Sequence, residues 1–325
     1  MSNIKLIKGD CLEKFTLIKD ESIDLVLIDP PYNISKAEWD KWKTVGDYVE
    51  FMGKVFLECQ RVLKNNGSFY FFHNDFEQMA ELQHWIKKNT NFIFKQMIIW
   101  NKKFKGCSNE GFLQGFNEVE GLRNYQKMAE YCLFYTFQDE ENQIYCDNDP
   151  LRPIKSYFIK AKKEKGFSIS KINEMLGHRQ AEHSFYTKKQ WSLPTQETYL
   201  QLQKILNLPL GFEKIQQWYE NLRYTYNNQK INHSVFNIEI AEKIGHITPK
   251  PVDLLSYIIK TSSNENDIIL DCFMGSSSTG VACLKTNRDF IGIELDNKYF
   301  DISVNRINTY IKNNNLENVN VEIIK

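Results

Sequence analysis

The chain has 325 residues, 42% of them apolar, which suits one large α/β core carrying an inserted module and argues against global disorder. Its 41 Lys/Arg offset 41 Asp/Glu, and no run of about 18 apolar residues offers a membrane span. Seven cysteines, an odd number without a C-x-x-C pair, argue against a disulfide framework and against a zinc site.

The first residues contain no apolar segment of signal type, so cytoplasmic residence is the expectation. The neutral total hides an asymmetry. Residues 152–189 hold ten Lys/Arg against three Asp/Glu, a local +7 that leaves about −7 elsewhere. Such a segment either binds a polyanion or forms a solvated helical face.

In chain order, "IKLI" (4–7) and "IDLVLI" (23–28) read as buried strands. Residues 45–63 carry apolar side chains at helical spacing, and Gly67 in the following "KNNG" suits a helix stop. "SFYFF" (68–72) is a third strand and "FEQMAELQHWIKK" (76–88) a second amphipathic helix. "FIFKQMIIW" (92–100) and "AEYCLFYTF" (129–137) are further strands, separated by an aperiodic loop over 101–128. Apolar strands between helices predict a mostly parallel sheet covered on both faces.

Residues 152–245 read as helical and polar. "SISKINEMLG" (168–177) has a Ser start and a Gly stop, and "LPTQETYLQLQKILNL" (193–208) has a good helix entry. Two such helices beside basic residues are compatible with a helix-turn-helix, as with any helical insert. The α/β pattern returns with a helix (251–262), a strand (267–271), a helix start (278–286), a strand (290–295) and a helix (297–314).

"ILDCFMGSSSTGVAC" (269–283) is a strand, turn and helix, a geometry that directs backbone N–H groups at a ligand. A Walker loop is excluded because Val281 and Ala282 stand where Lys and Ser/Thr are required. A dinucleotide fingerprint fits only in part, with Ser277 at its second glycine. Asp271 at the strand end repels pyrophosphate and favours an amino-acid ammonium. Glu294, closing the next strand, is placed to accept from ribose hydroxyls. Adenosine joined to an amino acid without pyrophosphate is S-adenosylmethionine. The competing reading is an ordinary turn with two capping acids.

Asp29-Pro30-Pro31-Tyr32 ends the second strand. An exocyclic base amine is a poor nucleophile because its lone pair is delocalised. Acceptors on both of its N–H groups free that pair. A carboxylate supplies one, a backbone carbonyl fixed by prolines supplies the other, and an aromatic ring can stack on the base. The alternative is a Pro-Pro strand stop with an incidental Asp and Tyr. The two motifs lie 242 residues apart, yet neighbouring parallel strands open their carboxyl ends onto one crevice.

D-P-P-Y followed by F-x-G-S-x-(S/T)-T-G resembles the amino-methyltransferases of DNA, specifically the permuted β class. The likeness covers about residues 1–137 and 246–325. It implies a Rossmann-like, mostly parallel sheet with helices on both faces and an inserted, mainly helical target-recognition region. Residues 1–137 would form the catalytic half, 138–245 the insert with an approach loop from about 101, and 246–325 the cofactor half.

By the same resemblance Asp29, Pro30, Pro31 and Tyr32 act on a flipped base. Asp10 and Cys11 of "GDCLE", Lys250 of "HITPKP", Asp271, Phe273, Gly275, Ser276, Ser277 and Glu294 hold S-adenosylmethionine. Lys250 matches the lysine near the methionine end. Asp at position 29 resembles the N6-adenine enzymes more than the N4-cytosine ones. Double-stranded DNA is the implied partner, with a restriction endonuclease and a homodimer as further implied associations.

Lys102, Lys103, Lys105, Arg179, Gln180, Lys188 and Lys189 are the candidate DNA contacts. His178 and His183, five apart, make no metal site, and Trp191 is read as core. The chain departs from the family at Ser277, which replaces a common glycine and suits the turn only if its φ stays negative. It departs again at Met128-Ala129-Glu130, where a His-Glu pair is common; no role follows from that. The rivals are an N4-cytosine methyltransferase, an RNA methyltransferase and a catalytically inactive DNA-binding relative.

Overall fold

The computed structural model describes residues 2–35, 40–108, 128–138, 151–185, 191–227, 233–241 and 249–325, with backbone only at 180–182. The chain forms two compact units, one of Met1–Tyr135 with Thr225–Lys325 and one of Thr136–Tyr224.

The first unit is built on a nine-stranded sheet. Its strands are β1 (Ser2–Lys8), β2 (Ile23–Ile28), β3 (Leu63–His73), β4 (Ile93–Asn101), β5 (Ala129–Thr136), β6 (Val235–Asn237), β7 (Ile268–Asp271), β8 (Asp289–Glu294) and β9 (Val319–Ile324). The order across the sheet is β6-β4-β5-β3-β2-β7-β8-β1-β9. From β3 to β9 every neighbouring pair is parallel, whereas β5 runs antiparallel to β3. The expected mostly parallel α/β sheet is therefore observed.

β2 is buried along almost its whole length, as a strand covered on both faces must be. Asp24, its one internal charge, is matched locally. It pairs with Lys64 at 2.7 Å and accepts from the Ile268 amide at 2.9 Å, tying β2 to β3 and β7.

The helices of this unit are α1 (Cys11–Lys14), α2 (Val45–Val62), α3 (Phe76–Asn89), α8 (Val252–Ser262), α9 (Ser278–Thr286) and α10 (Asn297–Asn313). α2 begins with a capping box between Thr44 and Asp47. Gly67 does not stop it. α2 ends at Val62 and β3 starts at Leu63, running through Lys-Asn-Asn-Gly. Gly67 serves close packing instead, since a Cβ there would meet Leu63 at 2.7 Å and the Asp24 carbonyl at 2.9 Å.

The second unit holds α4 (Arg152–Glu164), α5 (Ile169–Leu176), α6 (Gln196–Leu206) and α7 (Phe212–Leu222). Ser168 caps α5 and Gly177 ends it at φ +74°, as the sequence predicts. Its core gathers Leu151, Ile154, Phe158, Ile172, Trp191, Tyr199, Leu202 and Ile215. Trp191 lies in that core, donating its indole N–H to the Ser184 carbonyl at 3.0 Å.

Residues 177–195, with a 3-10 turn at Gln180–Phe185, separate α5 from α6. A helix-turn-helix joins its helices by three or four residues, so this pair is not one. The unit also closes at Tyr224 rather than at 245, because β6 pairs with β4 in the main sheet. β6 and β9 were not foreseen; both lie at sheet edges and β6 has only three residues.

Candidate functional site

β2, β7, β8 and β1 are consecutive parallel neighbours, so their carboxyl ends share one edge. In that spatial order the strands deliver Asp29, Asp271, Glu294 and Asp10. A cavity of about 540 Å³ opens there, lined by all four acids. Pro30, Pro31, Tyr32, Cys11, Lys250, Phe273, Gly275 and Ser276 line it too. Two peptides 242 residues apart thus meet in one crevice.

At the β1 end, Asp10 caps α1 by accepting from the Leu12 amide at 2.8 Å. The Cys11 thiol is held well above its usual range by the Cys272 thiol and by burial, so it is a neutral wall.

At β7, Asp271 is 3% exposed. It accepts from the Phe273 amide at 3.1 Å and the Thr279 hydroxyl at 2.6 Å. Burial pushes its pKa up to about 7 despite those donors. No cation pairs with it among the described residues. The turn then passes through Gly275 at φ +52°, whose amide donates to Glu294 Oε2 at 2.8 Å. Glu294 Oε1 accepts from the Asp296 amide at 2.7 Å, and burial raises its pKa.

Ser277 departs from expectation. Its φ is +58°, in the left-handed region, and its buried Oγ has no hydrogen-bond partner among the described residues. Ser277 takes this φ as the N-cap of α9, directly after the turn that follows β7. Ser277 does not line the cavity, whereas Ser276 does. Arg306 of α10 braces the turn, donating to the Ser276 carbonyl at 3.0 Å and to the Ser276 and Ser278 hydroxyls at 3.1 and 2.9 Å.

At β2, the Tyr32 hydroxyl donates to Asp29 Oδ1 at 2.6 Å. Lys250 Nζ lies 2.5 Å from Asp29 Oδ2 and 3.2 Å from Glu130 Oε2. The same ammonium is 5.3 Å from the Tyr32 ring centroid. Burial alone would raise Glu130, but Lys250 and Lys102 override it and hold its pKa down to about 2. Lys250 is likewise raised by Asp29 and Glu130 against the effect of its burial.

The Pro31 carbonyl accepts from the Tyr48 hydroxyl at 2.8 Å. The Pro30 carbonyl accepts no hydrogen bond from the described residues, and Pro30 lines the cavity. Asn33, at φ +54°, is pinned through its amide to Asp40 at 2.6 Å.

The DNA-contact candidates fall in both units. Lys102 is spent on Glu130 at 2.5 Å, and Lys103 is half-buried. Lys105 and Arg179 are exposed. Lys188, Lys189 and the Gln180 side chain lie outside the described residues.

Sequence reading missed Glu130, Tyr48, His73 and Asp40. Glu130 carried a usable signal, as a carboxylate inside an otherwise apolar strand that needs a buried cation. Among the described residues no group of His, Cys, Asp and Glu could hold a metal ion.

The donor set fits an amino-acid-bearing nucleoside. A buried carboxylate without a cation suits an ammonium, and six acids around one cavity, Asp40 and Asp296 among them, disfavour a phosphate.

Comparison with known proteins agrees. The family model described as DNA methylase, covering N6 and N4 methyltransferases, matches residues 23–305. Type II methyltransferase M1.MboII of Moraxella bovis is 28% identical over 296 residues, covering 91% of this chain and 93% of its own. DNA adenine methyltransferase YhdJ of Escherichia coli K12 is 27% identical over 310 residues, covering 93% and 82%. The crystal structure of the M1.HpyAVI–SAM complex shares the fold, with a TM-score of 0.52 at 18% identity over 94% of this chain and 99% of that one. The chain therefore belongs to the DNA methylase family of N6 and N4 amino-methyltransferases.

Proposed function

We propose that this DNA methyltransferase methylates the exocyclic N6 of an adenine flipped out of duplex DNA, with S-adenosylmethionine as donor. The observation that carries this reading is the meeting of Asp29-Pro30-Pro31-Tyr32 with Asp271 and Glu294 in one cavity. The adenine methyltransferase YhdJ, aligned over 93% of the chain, and Asp rather than Ser at position 29 favour N6 over N4.

When bound, the cofactor supplies an electrophilic methyl group. Asp271 holds the ammonium, Glu294 and Asp10 hold the ribose and adenine, and Phe273 and Cys11 form apolar walls. Gly275 and Ser276 contribute the turn. Asp29 and the Pro30 carbonyl each accept one N–H of the target amine, which draws the nitrogen toward tetrahedral geometry and frees its lone pair. S-adenosylmethionine held this way would supply its methyl group to that nitrogen and leave as a neutral thioether, and the nitrogen's surplus proton would pass along its hydrogen bond to Asp29 and on to solvent. Pro31 keeps the peptide rigid and Tyr32 offers a stacking face.

Lys105 and Arg179 supply phosphate contacts, and residues 136–224 read the target sequence. A restriction endonuclease partner, a homodimer and cytoplasmic residence complete the reading; no helix among the described residues is long and apolar enough to cross a membrane.

The test is to incubate duplex DNA with the protein and labelled cofactor, digest it and identify the nucleoside. N6-methyladenine is expected, and N4-methylcytosine would overturn the adenine assignment. Asp29→Ala should lower turnover by roughly a hundredfold or more, while calorimetry finds cofactor affinity weakened by no more than about tenfold, the effect of one uncancelled charge. Equal loss of both would refute the division of roles between the β2 and β7 corners.

A further inference from the structure

A chain of alternating charges runs along one wall of the cavity. Lys102 Nζ is 2.5 Å from Glu130 Oε1, Glu130 Oε2 is 3.2 Å from Lys250 Nζ, and Lys250 Nζ is 2.5 Å from Asp29 Oδ2. The Glu130 and Lys250 side chains are each 6% exposed. Two cations and two anions cancel. The groups in direct contact with them are uncharged: the Tyr32 hydroxyl, 3.4 Å from Glu130, the buried Cys132 thiol, and His73 beside the Tyr32 ring at 4.8 Å; the carboxyls of Asp271, Asp40 and Asp75 act on the same wall from farther off and are common to every variant below. Burial holds His73 down to about 4, so it is neutral at pH 7.

Asp29 needs only one cation to remain ionised. Glu130 is the member surplus to the chemistry, for it does not itself line the cavity and reaches the lining only through Lys250 and the Tyr32 hydroxyl. Its effect is on Lys250. Without Glu130, the wall beside the target amine would carry a net +1. The donor read above is itself a sulfonium cation, whereas the thioether left after transfer is neutral.

We propose that Glu130 is a positioning residue that fixes Lys250 and cancels its charge, so that the site accepts a cationic sulfonium and releases the neutral product. This rests on the S-adenosylmethionine reading. An uncancelled unit charge several ångströms away in a partly buried site changes affinity by about tenfold. The two ligands differ in one methyl group and one charge, so the ratio of their dissociation constants isolates the effect. Any contact of Lys250 with the amino-acid carboxylate is common to both and divides out.

The experiment measures Kd for S-adenosylmethionine and for S-adenosylhomocysteine by calorimetry in wild type, Glu130→Gln, Lys102→Gln and the double variant. The ratio of the first Kd to the second should rise about tenfold in Glu130→Gln. It should fall in Lys102→Gln, which leaves the wall with a net −1. The double variant restores neutrality and should return the ratio to within about twofold of wild type. A ratio unmoved in Glu130→Gln, or moved in the same direction by both single variants, overturns the proposal. If Glu130→Gln does not fold, Lys102→Gln and the double variant decide by the same ratio. Wild type that binds neither ligand would instead overturn the cofactor reading beneath it.

Discussion

Ser277 holds a backbone conformation that a side chain makes costly. At φ +58° its Cβ crowds the neighbouring carbonyl, a penalty of roughly 1–2 kcal/mol in the left-handed region. Its hydroxyl is buried without a partner among the described residues. Gly280 makes room for that hydroxyl, since a Cβ there would meet Ser277 Oγ at 2.3 Å. Ser277→Gly relieves strain and desolvation, against the larger entropy that glycine gains in the unfolded chain. The net expectation is about 1 kcal/mol of added stability, seen as a rise of about 2 °C in Tm. Cofactor affinity should stay within about twofold, because Arg306 still braces Ser276 and Ser278. A lower Tm would show that the hydroxyl has a stabilising partner. The role of Ser277 was not legible from residue type: the sign of its φ is set by how β7 hands over to α9.

Among the elements, α2 does more than cover the sheet. Its Tyr48 reaches from the helix to the Pro31 carbonyl, and His73 at the end of β3 backs that hydroxyl at 3.1 Å. His73 Nδ1 lies 3.0 Å from the Asp75 amide and 3.1 Å from the Asp75 carbonyl, so the tautomer is read from the other side: the one proton of Tyr48 goes to Pro31, which leaves Nε2 of this neutral ring as the donor. Nε2–H then donates to the Tyr48 oxygen and the Tyr48 O–H donates to Pro31, so the relay has one direction. It ties up the second proline carbonyl and leaves the first to the cavity. Tyr48→Phe should destabilise the fold by about 1 kcal/mol and lower kcat by about tenfold. Its KM for S-adenosylmethionine should not move, since the hydroxyl removed bonds to the β2 corner and not to the β7 corner. Loss of cofactor affinity without loss of kcat would refute this role. The helix itself was legible from its 3.6-residue spacing. The tyrosine was not, because a buried aromatic on an amphipathic helix looks like any other core residue.

At the scale of the molecule, the sheet unit and the helical unit each close a core of their own. Differential scanning calorimetry of the full chain should resolve two transitions, with S-adenosylmethionine raising only the one that belongs to the sheet unit. A single transition that shifts as a whole would show the two cores unfolding together. The sequence places the boundary between them at 138 on entry, where an apolar strand gives way to polar helices, and the helical unit runs from Thr136. On return it was misplaced by about twenty residues (Tyr224 against 245), because β6 is three residues long and too short for a periodic signal.

Local chemistry determined what could be read from the sequence alone: the alternation of strands and helices, the tetrapeptide at the end of β2, the glycine turn after β7 and the acid closing β8. Each depends on residues within a few positions of one another, where propensity, spacing and side-chain type act directly. Tertiary structure alone decided that Lys250 sits between Asp29 and Glu130, that Lys102 faces inward, and that Tyr48 ties down Pro31. Those contacts join residues 17 to 221 positions apart, and a charge or a ring carries no mark of its partner until the sheet brings them within hydrogen-bond reach.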